Sequence, residues 1–570
     1  MLSKKATPKI VALIDRRIQP NNDCLKLERT IFAFLFLMVL FLPHSIAASQ
    51  TAWILGMFFL LIRLFLKPKI QKTPLDKPLW LFFLWSLVTC FFSYTPLISL
   101  DKMRSVAVFL IFYFVVNVVR SNSIAVLLTF ALIFSCMINV FYVPIERIIG
   151  RGVEIQGLHP DSPLSKALLM NGDTLLKANE KKIYSPEDLI EEIEKQENTK
   201  IFFYRPDFYY TVEVKRNDLL DGKNALEKLG IESWKKSHNW RSTGFYGHWT
   251  TYADVLQLIA SLVFGIIVSL ASGLKVFSSR KKQTISPQQN FKEKAEENSF
   301  KEKAEENSEP GKTQNKISVS TKAKTEFFLK SKGFLSISSL YIRPLLASHS
   351  FCLLVAMFFF AMILLALVLS GTRAPLLGLL LSVFAIVLLN KNRRIIYFST
   401  LIGLLLVLFS SIYLQQSRRI GLFDENDDST KYRQIVYKEA IELWTKSPRH
   451  LLFGVGMDSI RVYATEWKLF DNGRLPMGHF HSTPLQLLVE RGLPAFLIWC
   501  WIIFVYAKLL LKAISNSNEK LQRGILFGIL GGVFGFLASG MVHYNLGDQE
   551  VAMVFFFLMS IGVKLSGQNS

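Results

Sequence analysis

Long unbroken runs of apolar residues constrain this chain more than any other feature of its sequence. The first four are IFAFLFLMVLFL, WILGMFFLLIRLFL, LWLFFLWSLVTCFF and VAVFLIFYFVVNVV. Crossing the hydrocarbon core of a bilayer takes about 20 apolar residues, and about twelve segments approach that length. The runs are continuous rather than alternating, so they indicate helices and not the strands of a membrane barrel. We therefore predict an all-α polytopic membrane protein.

The predicted spans form four groups along the chain. Helices 1–5 occupy residues 29–143, helix 6 occupies 251–273, helices 7–9 occupy 346–415 and helices 10–12 occupy 484–566. The individual spans are expected near 29–48, 50–66, 77–97, 102–119, 122–143, 251–273, 346–369, 373–391, 395–415, 484–511, 521–541 and 547–566.

The formal net charge of +22 is typical of nucleic-acid-binding proteins as well as of membrane proteins. Cytoplasmic loops of membrane proteins collect lysine and arginine, so the position of the charge distinguishes the two classes. The basic clusters fall on alternate connections, together with the basic N-terminal segment 1–28. They are KPKIQK at 67–72, the 274–282 segment, KNRR at 391–394 and the Lys508 to Arg523 connection. This pattern favours a membrane protein with a cytoplasmic N-terminus and no nucleic-acid partner.

The remaining connections are then expected on the opposite, periplasmic side of a bacterial inner membrane. They are 144–250, 370–373, the large loop 416–483 and 542–546.

The interruption at 150–216 has the character of a small inserted α+β domain. VEIQGL, KIFFYR and YYTVEVKR are strand-like, and Ser185 is a suitable cap for the helix SPEDLIEEIEK. The order resembles a PDZ domain, through a pattern carried by Ser162, Pro163, Ala167, Leu168, Gly172, Asp173 and Asn179. A PDZ groove binds an extended peptide as an added strand. The alternative is a module that only packs on the membrane core.

A second interruption, 280–340, contains FKEKAEENS twice in tandem. Its lysine, glutamate, asparagine and serine residues bury too little apolar surface to offset the entropy of ordering. We expect a disordered cytoplasmic linker of low complexity.

Ionisable residues gather where the predicted spans meet the periplasmic side. Arg241 precedes span six, Arg373 lies between spans seven and eight, and the 416–483 loop carries Arg433, His479 and His481. Charge this close to hydrocarbon is costly unless it is paired or functional. An arginine at a helix end also serves as a snorkelling anchor, but two arginines and two histidines on one face favour a site.

Arginine and histidine together suit transfer from a phosphate-bearing lipid. Arginine is permanently cationic and donates two hydrogen bonds at once to phosphate oxygens, and histidine accepts a proton near neutral pH. No outward acidic pair suggests a metal ligand set, and DENDD at 424–428 is interpreted as a solvated loop. The sequence therefore favours chemistry without a metal or other cofactor.

Four motifs in order resemble the O-antigen ligase superfamily. They are RSTGFYGHWTTYA, SGTRAPLLGLLLS, HFHSTPLQLLVERGLPAF and HYNLGDQEV. The resemblance implies a GT-C-like membrane glycosyltransferase that uses a polyprenyl-pyrophosphate-linked glycan. It also implies that Arg241 and Arg373 grip the pyrophosphate and that His481 activates the acceptor hydroxyl.

The acceptor distinguishes the members of this superfamily. An O-antigen ligase acting on a lipid A-core acceptor in lipopolysaccharide assembly is expected, and an O-antigen polymerase or a protein O-oligosaccharyltransferase are the alternatives. The PDZ-like module suggests a peptide or protein partner. The family commonly has asparagine after the histidine, whereas Ser482 follows His481 here; the serine hydroxyl is expected to orient the ring or to leave a weakened site.

Three further residues have open roles. His479 is a substrate contact or a loop histidine, Glu490 orients His481 or pairs with Arg491, and His248 assists Arg241 or sits at the interface beside Trp249. Interface enrichment alone explains the tryptophan and tyrosine of FYGHWTTY.

Two other classes of membrane protein fit the sequence less well. An intramembrane zinc protease needs His-Glu-x-x-His, and none of the nine histidines is followed by glutamate. A polytopic transporter also has many spans, but its ionisable residues gather near the bilayer midplane rather than at one face.

Overall fold

The computed structural model describes residues 22–205, 208–271, 349–390, 393–418, 428–475 and 478–567. The predicted 280–340 linker lies outside these residues. Residues 2–271 and 354–570 form one compact unit, and a second unit, Met1 with Ser272–Leu353, is described only from His349 onward. Everything below concerns the first unit.

Helices occur at every predicted span. Six described helices cover the first five predicted spans, because α4 and α5 share one of them. They are α1 (Asn22–Phe41), α2 (Ile46–Leu66), α3 (Asp76–Phe91), α4 (Pro96–Val106), α5 (Leu110–Val118) and α6 (Asn122–Ile149). After the sheet region come α10 (Trp249–Ala271), α11 (His349–Leu369), α12 (Arg373–Leu389) and α13 (Arg393–Arg418). The last three are α18 (Thr483–Asn516), α19 (Lys520–Gly540) and α20 (Gln549–Leu565).

Six of the described helices are long and apolar enough to cross a membrane, namely α2, α6, α10, α11, α18 and α19. The predicted multi-pass helical membrane protein is confirmed, while the number of twelve spans stays a prediction. The helices differ in burial: 94% of the apolar window of α10 is buried, against 22% of that of α11. Helix α10 is therefore central, and α11 turns most of its surface outward.

The first predicted boundary is wrong by several residues. The chain turns between Phe41 and Ile46 rather than near residue 49, because Ser45 caps α2 by accepting a hydrogen bond from the Ala48 N–H. The predicted 102–119 span is likewise not one regular helix, since a 3₁₀ turn at Ala107–Phe109 separates α4 from α5.

Glycines allow α10 and α19 to approach closely. A Cβ atom added to Gly528 would lie 2.5 Å from the Leu262 Cα, whereas one added to Gly532 meets no atom closer than 3.5 Å. Small residues at such interfaces let helix backbones pack directly. A buried hydrogen bond of 2.9 Å from Gln257 Nε2 to Ser382 Oγ further ties α10 to α12.

The inserted region forms an antiparallel six-stranded sheet. Its strands are β1 (Arg151–Leu158), β2 (Thr174–Ala178), β3 (Lys181–Lys182), β4 (Asn198–Arg205), β5 (Phe208–Lys215) and β6 (Ile231–Ser237), in the order β5-β4-β2-β1-β6 with β3 beside β2. Three short helices accompany it: α7 (Pro163–Lys166), α8 (Pro186–Lys195) and α9 (Ala225–Leu229). The predicted α+β character is thus observed, and the PDZ-like identity stays a prediction.

Two details of this region bear on the sequence predictions. The predicted cap is observed, because Ser185 Oγ accepts from the Asp188 N–H and the Asp188 carboxylate accepts from the Ser185 N–H. The sheet extends beyond the predicted end at residue 216, since β6 pairs with β1 from Arg151↔Ser237 to Leu158↔Ile231. The backbone groups on that edge of β1 are satisfied by β6.

The large loop after α13 folds onto the helical unit. It contains α14 (Asp428–Thr445), α15 (Pro448–Phe453), α16 (Ser459–Tyr463) and the short turn-like α17 (Leu469–Gly473). Its apolar core includes Val436, Phe470 and Phe480, all fully buried. Because Phe480 is buried, the backbone of its two neighbours, His479 and His481, is held in place as well.

Candidate functional site

His479 and His481 lie side by side at the start of α18. Their ring centroids are 4.2 Å apart, and the His481 N–H donates to His479 Nδ1 at 3.2 Å. His481 has a φ of 47°, a left-handed conformation that is uncommon for a residue with a side chain. The buried Phe480 between them donates its N–H to Gln486 Oε1 at 2.9 Å. The pair is therefore held in place by its own backbone rather than left in a free loop.

Ser482 serves as the N-cap of α18. Its hydroxyl accepts a hydrogen bond from the Leu485 N–H, and the residue is only 2% exposed. The expectation that this hydroxyl orients the His481 ring is replaced by a capping role. Besides its N–H bond to His479, His481 accepts a hydrogen bond at its carbonyl from the Tyr437 hydroxyl at 3.0 Å.

A buried histidine between two carboxylates adjoins the pair and was given no role from the sequence. His543 Nδ1 lies 2.8 Å from Asp254 Oδ2, and His543 Nε2 lies 3.8 Å from Asp548 Oδ2. The ring of His543 is 6.3 Å from that of His479. Asp254 is the one acidic residue of α10, and an ionisable residue inside a span is by itself a signal of function. Asp254 is therefore the feature of the sequence from which this group is recognisable.

Asp254, His543 and Asp548 place one donor atom each within 4.8 Å of the others, close enough for a metal ion to bind all three. In the arrangement observed, the three side chains form an ion group. Asp254 Oδ2 is hydrogen-bonded to His543 Nδ1 at 2.8 Å, whereas Asp548 Oδ2 lies 3.8 Å from His543 Nε2, within ion-pair distance but beyond a hydrogen bond.

Arg433 joins this cluster from α14. Its Nε donates to the carbonyl of Val542 at 3.2 Å, next to His543 in the chain. The neighbouring Tyr432 ring meets the His481 ring edge-on at 5.3 Å. The structure thus brings Arg433, His479 and His481 together, although the sequence separates Arg433 from the histidines by more than 40 residues.

Arg241 and Arg373 meet at the turn between α11 and α12. Arg241 Nε donates to the Ser370 carbonyl at 2.9 Å, and its Nη2 donates to Thr372 Oγ1 at 3.0 Å. Arg373 is the next residue and begins α12. Gly371, with a φ of 63°, makes the tight turn on which the Arg241 side chain lies. The two arginines therefore flank one short turn.

The start of α10 connects these arginines to the histidine cluster. The Arg241 guanidinium carbon lies 4.4 Å from the centre of the Trp249 ring, and Trp249 is the first residue of α10. The Thr251 hydroxyl of the same helix donates to Asp548 at 3.0 Å, and Asp254 binds His543. Within two turns α10 thus contacts both halves of the candidate site.

His248 lies between the two halves. The residue is exposed overall, but its ring stacks on Trp249 at 5.0 Å. Desolvation of the ring, followed by repulsion from His543 and Arg241, lowers the pKa of His248 to about 4. Stacking beside Trp249 agrees with both roles left open from the sequence, so the role of His248 stays a prediction.

Glu490 is directed into the protein rather than into the cluster. It is 5% exposed, and its Oε1 accepts from the Asp458 N–H at 3.0 Å and from Gln486 Nε2 at 2.9 Å. Gln486 in turn holds the Phe480 N–H. Among the described residues Glu490 supports the histidine segment through Gln486, and its side chain is hydrogen-bonded to Gln486 and Asp458 rather than to His481 or Arg491.

Both histidines of the pair are held neutral. Burial, followed by repulsion from His543 and Arg461, lowers the pKa of His479 to about 4. Burial, followed by repulsion from His479, His543 and Arg433, lowers the pKa of His481 to about 2. A neutral imidazole has a free nitrogen lone pair and can accept a proton or a hydrogen bond.

The sheet domain reaches the same site. Tyr209 of β5 stacks on Trp249 with ring centroids 6.3 Å apart, and Arg151 of β1 donates to the Tyr209 hydroxyl at 3.2 Å. The inserted domain therefore packs against the residue that supports Arg241.

Comparison with known families gives one match. Residues 358–500 match a family model described as O-Antigen ligase, over about a quarter of the 570 residues. The matched segment contains Arg373, Arg433, His479, His481 and Glu490. No curated protein matches the chain. Within residues 358–500, the match supports the resemblance on which the sequence motifs rest.

Proposed function

We propose that this chain, whose residues 358–500 match the O-Antigen ligase family model, transfers a glycan from a polyprenyl-pyrophosphate donor to an acceptor hydroxyl at the periplasmic face of a bacterial inner membrane. The proposal is supported by the site residues that lie within the segment matching the family model. Its Arg373, Arg433 and His481 lie in one region with Arg241, which comes from outside the matched residues and contacts the turn just before Arg373.

The reaction assigns separate roles to the two halves of the site. The acceptor oxygen attacks the anomeric carbon of the donor glycan, and the bond from that carbon to the pyrophosphate oxygen breaks. The hydroxyl proton passes to His481, acting as general base. Arg241 and Arg373 stabilise the charge that develops on the departing polyprenyl pyrophosphate. Arg433, His479 and His248 line the path between them and contact the substrates.

A histidine with a strongly lowered pKa is neutral but weakly basic. His481 therefore becomes an effective base only when the bound donor raises its pKa. An anion bound beside His481 favours its protonated form and raises its pKa. The pyrophosphate of the donor supplies that anion. Proton acceptance by His481 is therefore coupled to donor binding, and the free enzyme keeps a neutral, inactive imidazole.

The permanent charge of the arginines supports a reaction without a protein-bound metal ion. Within the family we favour transfer to a lipid A-core acceptor. Extension of a growing glycan, and transfer to a protein hydroxyl recruited through the PDZ-like sheet, are the alternatives that share the same donor chemistry.

Reconstitution of the purified chain in vesicles tests the proposal. The vesicles carry a polyprenyl-pyrophosphate-linked glycan, and a lipid A-core acceptor is offered with EDTA present. We expect glycan on the acceptor, released polyprenyl pyrophosphate, and loss of both products in Arg373→Ala and His481→Ala. Movement of the donor across the bilayer without transfer would instead establish a transporter.

A gene deletion separates the three acceptors. Loss of only the high-mass lipopolysaccharide ladder identifies a ligase, single-repeat lipopolysaccharide identifies a polymerase, and loss of glycoproteins identifies a protein glycosyltransferase. Cysteines introduced at exposed positions such as His159 and Lys67 report sidedness with an impermeant thiol reagent. We expect labelling from the periplasm at 159 only.

A further inference from the structure

The group formed by Asp254, His543 and Asp548 takes no part in the transfer step described above. Asp254 is 1% exposed, His543 is 7% exposed, and the two side chains are hydrogen-bonded at 2.8 Å. They join helix α10 to the turn between α19 and α20. A buried carboxylate needs a compensating partner, and the nature of that partner determines what the group does.

The other hydrogen bonds of the two carboxylates come from neutral groups. Asp254 Oδ1 accepts from Ser539 Oγ at 2.9 Å, and Asp548 Oδ2 accepts from Thr251 Oγ1 at 3.0 Å. Between the carboxylates lies the His543 ring. A neutral imidazole has one N–H and one lone pair, so one of its nitrogens would direct that lone pair at a carboxylate. An imidazolium directs an N–H at each.

The same ring adjoins the histidine pair. It is 6.3 Å from the His479 ring, which is 4.2 Å from the His481 ring. A positive charge on His543 repels a second proton on either neighbour, and burial leaves little water to screen that repulsion. The His479 ring therefore links the charged His543 ring to His481, the proposed proton acceptor.

We propose that Asp254 and Asp548 hold His543 as an imidazolium, and that this buried charge keeps His479 and His481 in their neutral form until the anionic donor binds. His543 is a positioning residue, because it acts through its neighbours and not on the reacting atoms. The effect on transfer rests on the proposed function, whereas the charge state of His543 does not.

The surrounding charges agree with this assignment. Burial opposes a charge on His543, but the hydrogen bond and the negative charge of Asp254, with Asp548, raise its pKa overall. Arg433 acts in the opposite sense from α14. Titratable and charged groups face the three histidines from the packed elements; among the described residues they are Asp254, Asp548, Arg433, Arg461, His248, Tyr432, Tyr437 and Tyr544.

A spectrum of the full-length chain tests the charge state directly. The chain is labelled with ¹⁵N-histidine in nanodiscs, and His543 is identified by the signal that disappears in His543→Gln. We expect both ring nitrogens of His543 to carry protons at pH 7.5, and one to lose its proton in Asp254→Asn. A neutral His543 in the wild type overturns the proposal.

Metal binding is the competing outcome of the same experiment. Mg²⁺ or Zn²⁺ is titrated into the labelled chain. Stoichiometric loss of the His543 N–H signal, abolished by Asp548→Asn, would assign a metal site and overturn the imidazolium. Unchanged signals support it.

The pH dependence of transfer tests the consequence for catalysis. The value of kcat/KM is measured from pH 3 to pH 8 for the wild type, His543→Gln, Asp254→Asn and the matched control Ser539→Ala, so that the range reaches the low pH at which the wild-type activity falls. His543→Gln and Asp254→Asn both remove the imidazolium charge. In these two variants, the pH below which kcat/KM falls should rise by about one unit or more. Ser539→Ala deletes a hydrogen bond to Asp254 without altering charge, so in this variant that pH should stay in place.

A purely structural role predicts a different result. If all three variants lower the rate by one factor at every pH, the proposed influence on His479 and His481 is refuted. If the wild type transfers no glycan at all, the proposed function fails, and the spectrum still decides the charge state of His543. Should His543→Gln not fold, the comparison of Asp254→Asn with Ser539→Ala remains.

Discussion

The guanidinium carbon of Arg241 lies 4.4 Å from the centre of the Trp249 ring. Arg241 also donates two hydrogen bonds to the turn that precedes Arg373. An arginine fixed in this way on an aromatic face and a backbone turn is preorganised for an anion, because little side-chain freedom is left to lose on binding.

Replacing Trp249 should therefore weaken donor binding. A cation–π contact contributes about 0.5 to 2 kcal/mol depending on its exposure. We expect Trp249→Ala to raise the KM for the lipid-linked donor by about 2- to 30-fold, with a smaller change in kcat. Trp249→Phe keeps an aromatic face and should retain most of the affinity. An unaltered KM in Trp249→Ala would show that the arginine is held by its hydrogen bonds alone.

Removing the proposed base should affect chemistry more than binding. His481→Gln is expected to lower the single-turnover rate by about 10²- to 10⁴-fold, the usual range for a general base, while the donor Kd changes little. The control is His159→Gln, which alters an exposed histidine of the sheet domain. A His481→Gln enzyme with near-normal turnover would remove His481 from the mechanism.

The activity should persist at mildly acidic pH, because the lowered pKa values of His479 and His481 keep both rings neutral. A general base must be neutral to accept a proton, and burial lowers the pKa of His481 to about 2 and that of His479 to about 4. An ordinary histidine would lose activity as the pH falls through its unperturbed value of about 6.5. We expect kcat/KM to stay level between about pH 7.5 and pH 5.5. A half-maximal point near pH 6.5 would contradict this environment for His481.

Glycine substitutions in α19 should separate close packing from helix propensity. A Cβ atom at position 528 would lie 2.5 Å from the Leu262 backbone, and one at position 532 has room. Gly528→Ala should lower the thermal unfolding temperature in detergent because α10 and α19 must move apart. Gly532→Ala should leave it unchanged or raise it, since alanine favours the helix by about 1 kcal/mol. Equal effects would refute the packing explanation.

Removal of the sheet domain tests whether it recruits the acceptor. The deletion must include β6, so it runs over 152–236, and a short Gly-Ser linker suffices because Arg151 and Ser237 are paired neighbours in the sheet. If the domain recruits a peptide or protein acceptor, transfer to that acceptor should fall while transfer to a small soluble hydroxyl acceptor persists.

The contact between Tyr209 and Trp249 provides the control for that deletion. Tyr209→Ala keeps the domain but removes this contact, together with the hydrogen bond from Arg151, and reports how far support of Arg241 accounts for the loss. A deletion variant with unchanged transfer to the normal acceptor would assign the domain a packing role alone.

The sequence by itself determined the helical membrane class and most helix positions, because a span of sufficient length and hydropathy is a local property of the chain. It also determined the Ser185 cap, which depends on residues three positions apart. The arginines and histidines were recognisable for a similar reason: each lies next to an apolar run, where charge is costly. Their common side followed from the distribution of basic loops.

Only the tertiary structure decided which of these residues meet. Asp254 and His543 are 289 residues apart and bind because α10 and α19 pack on their glycines. Other contacts between distant segments direct Glu490 towards Asp458 and add β6 to the sheet. Contacts between distant segments depend on how whole helices cross, and no local pattern of residues encodes that.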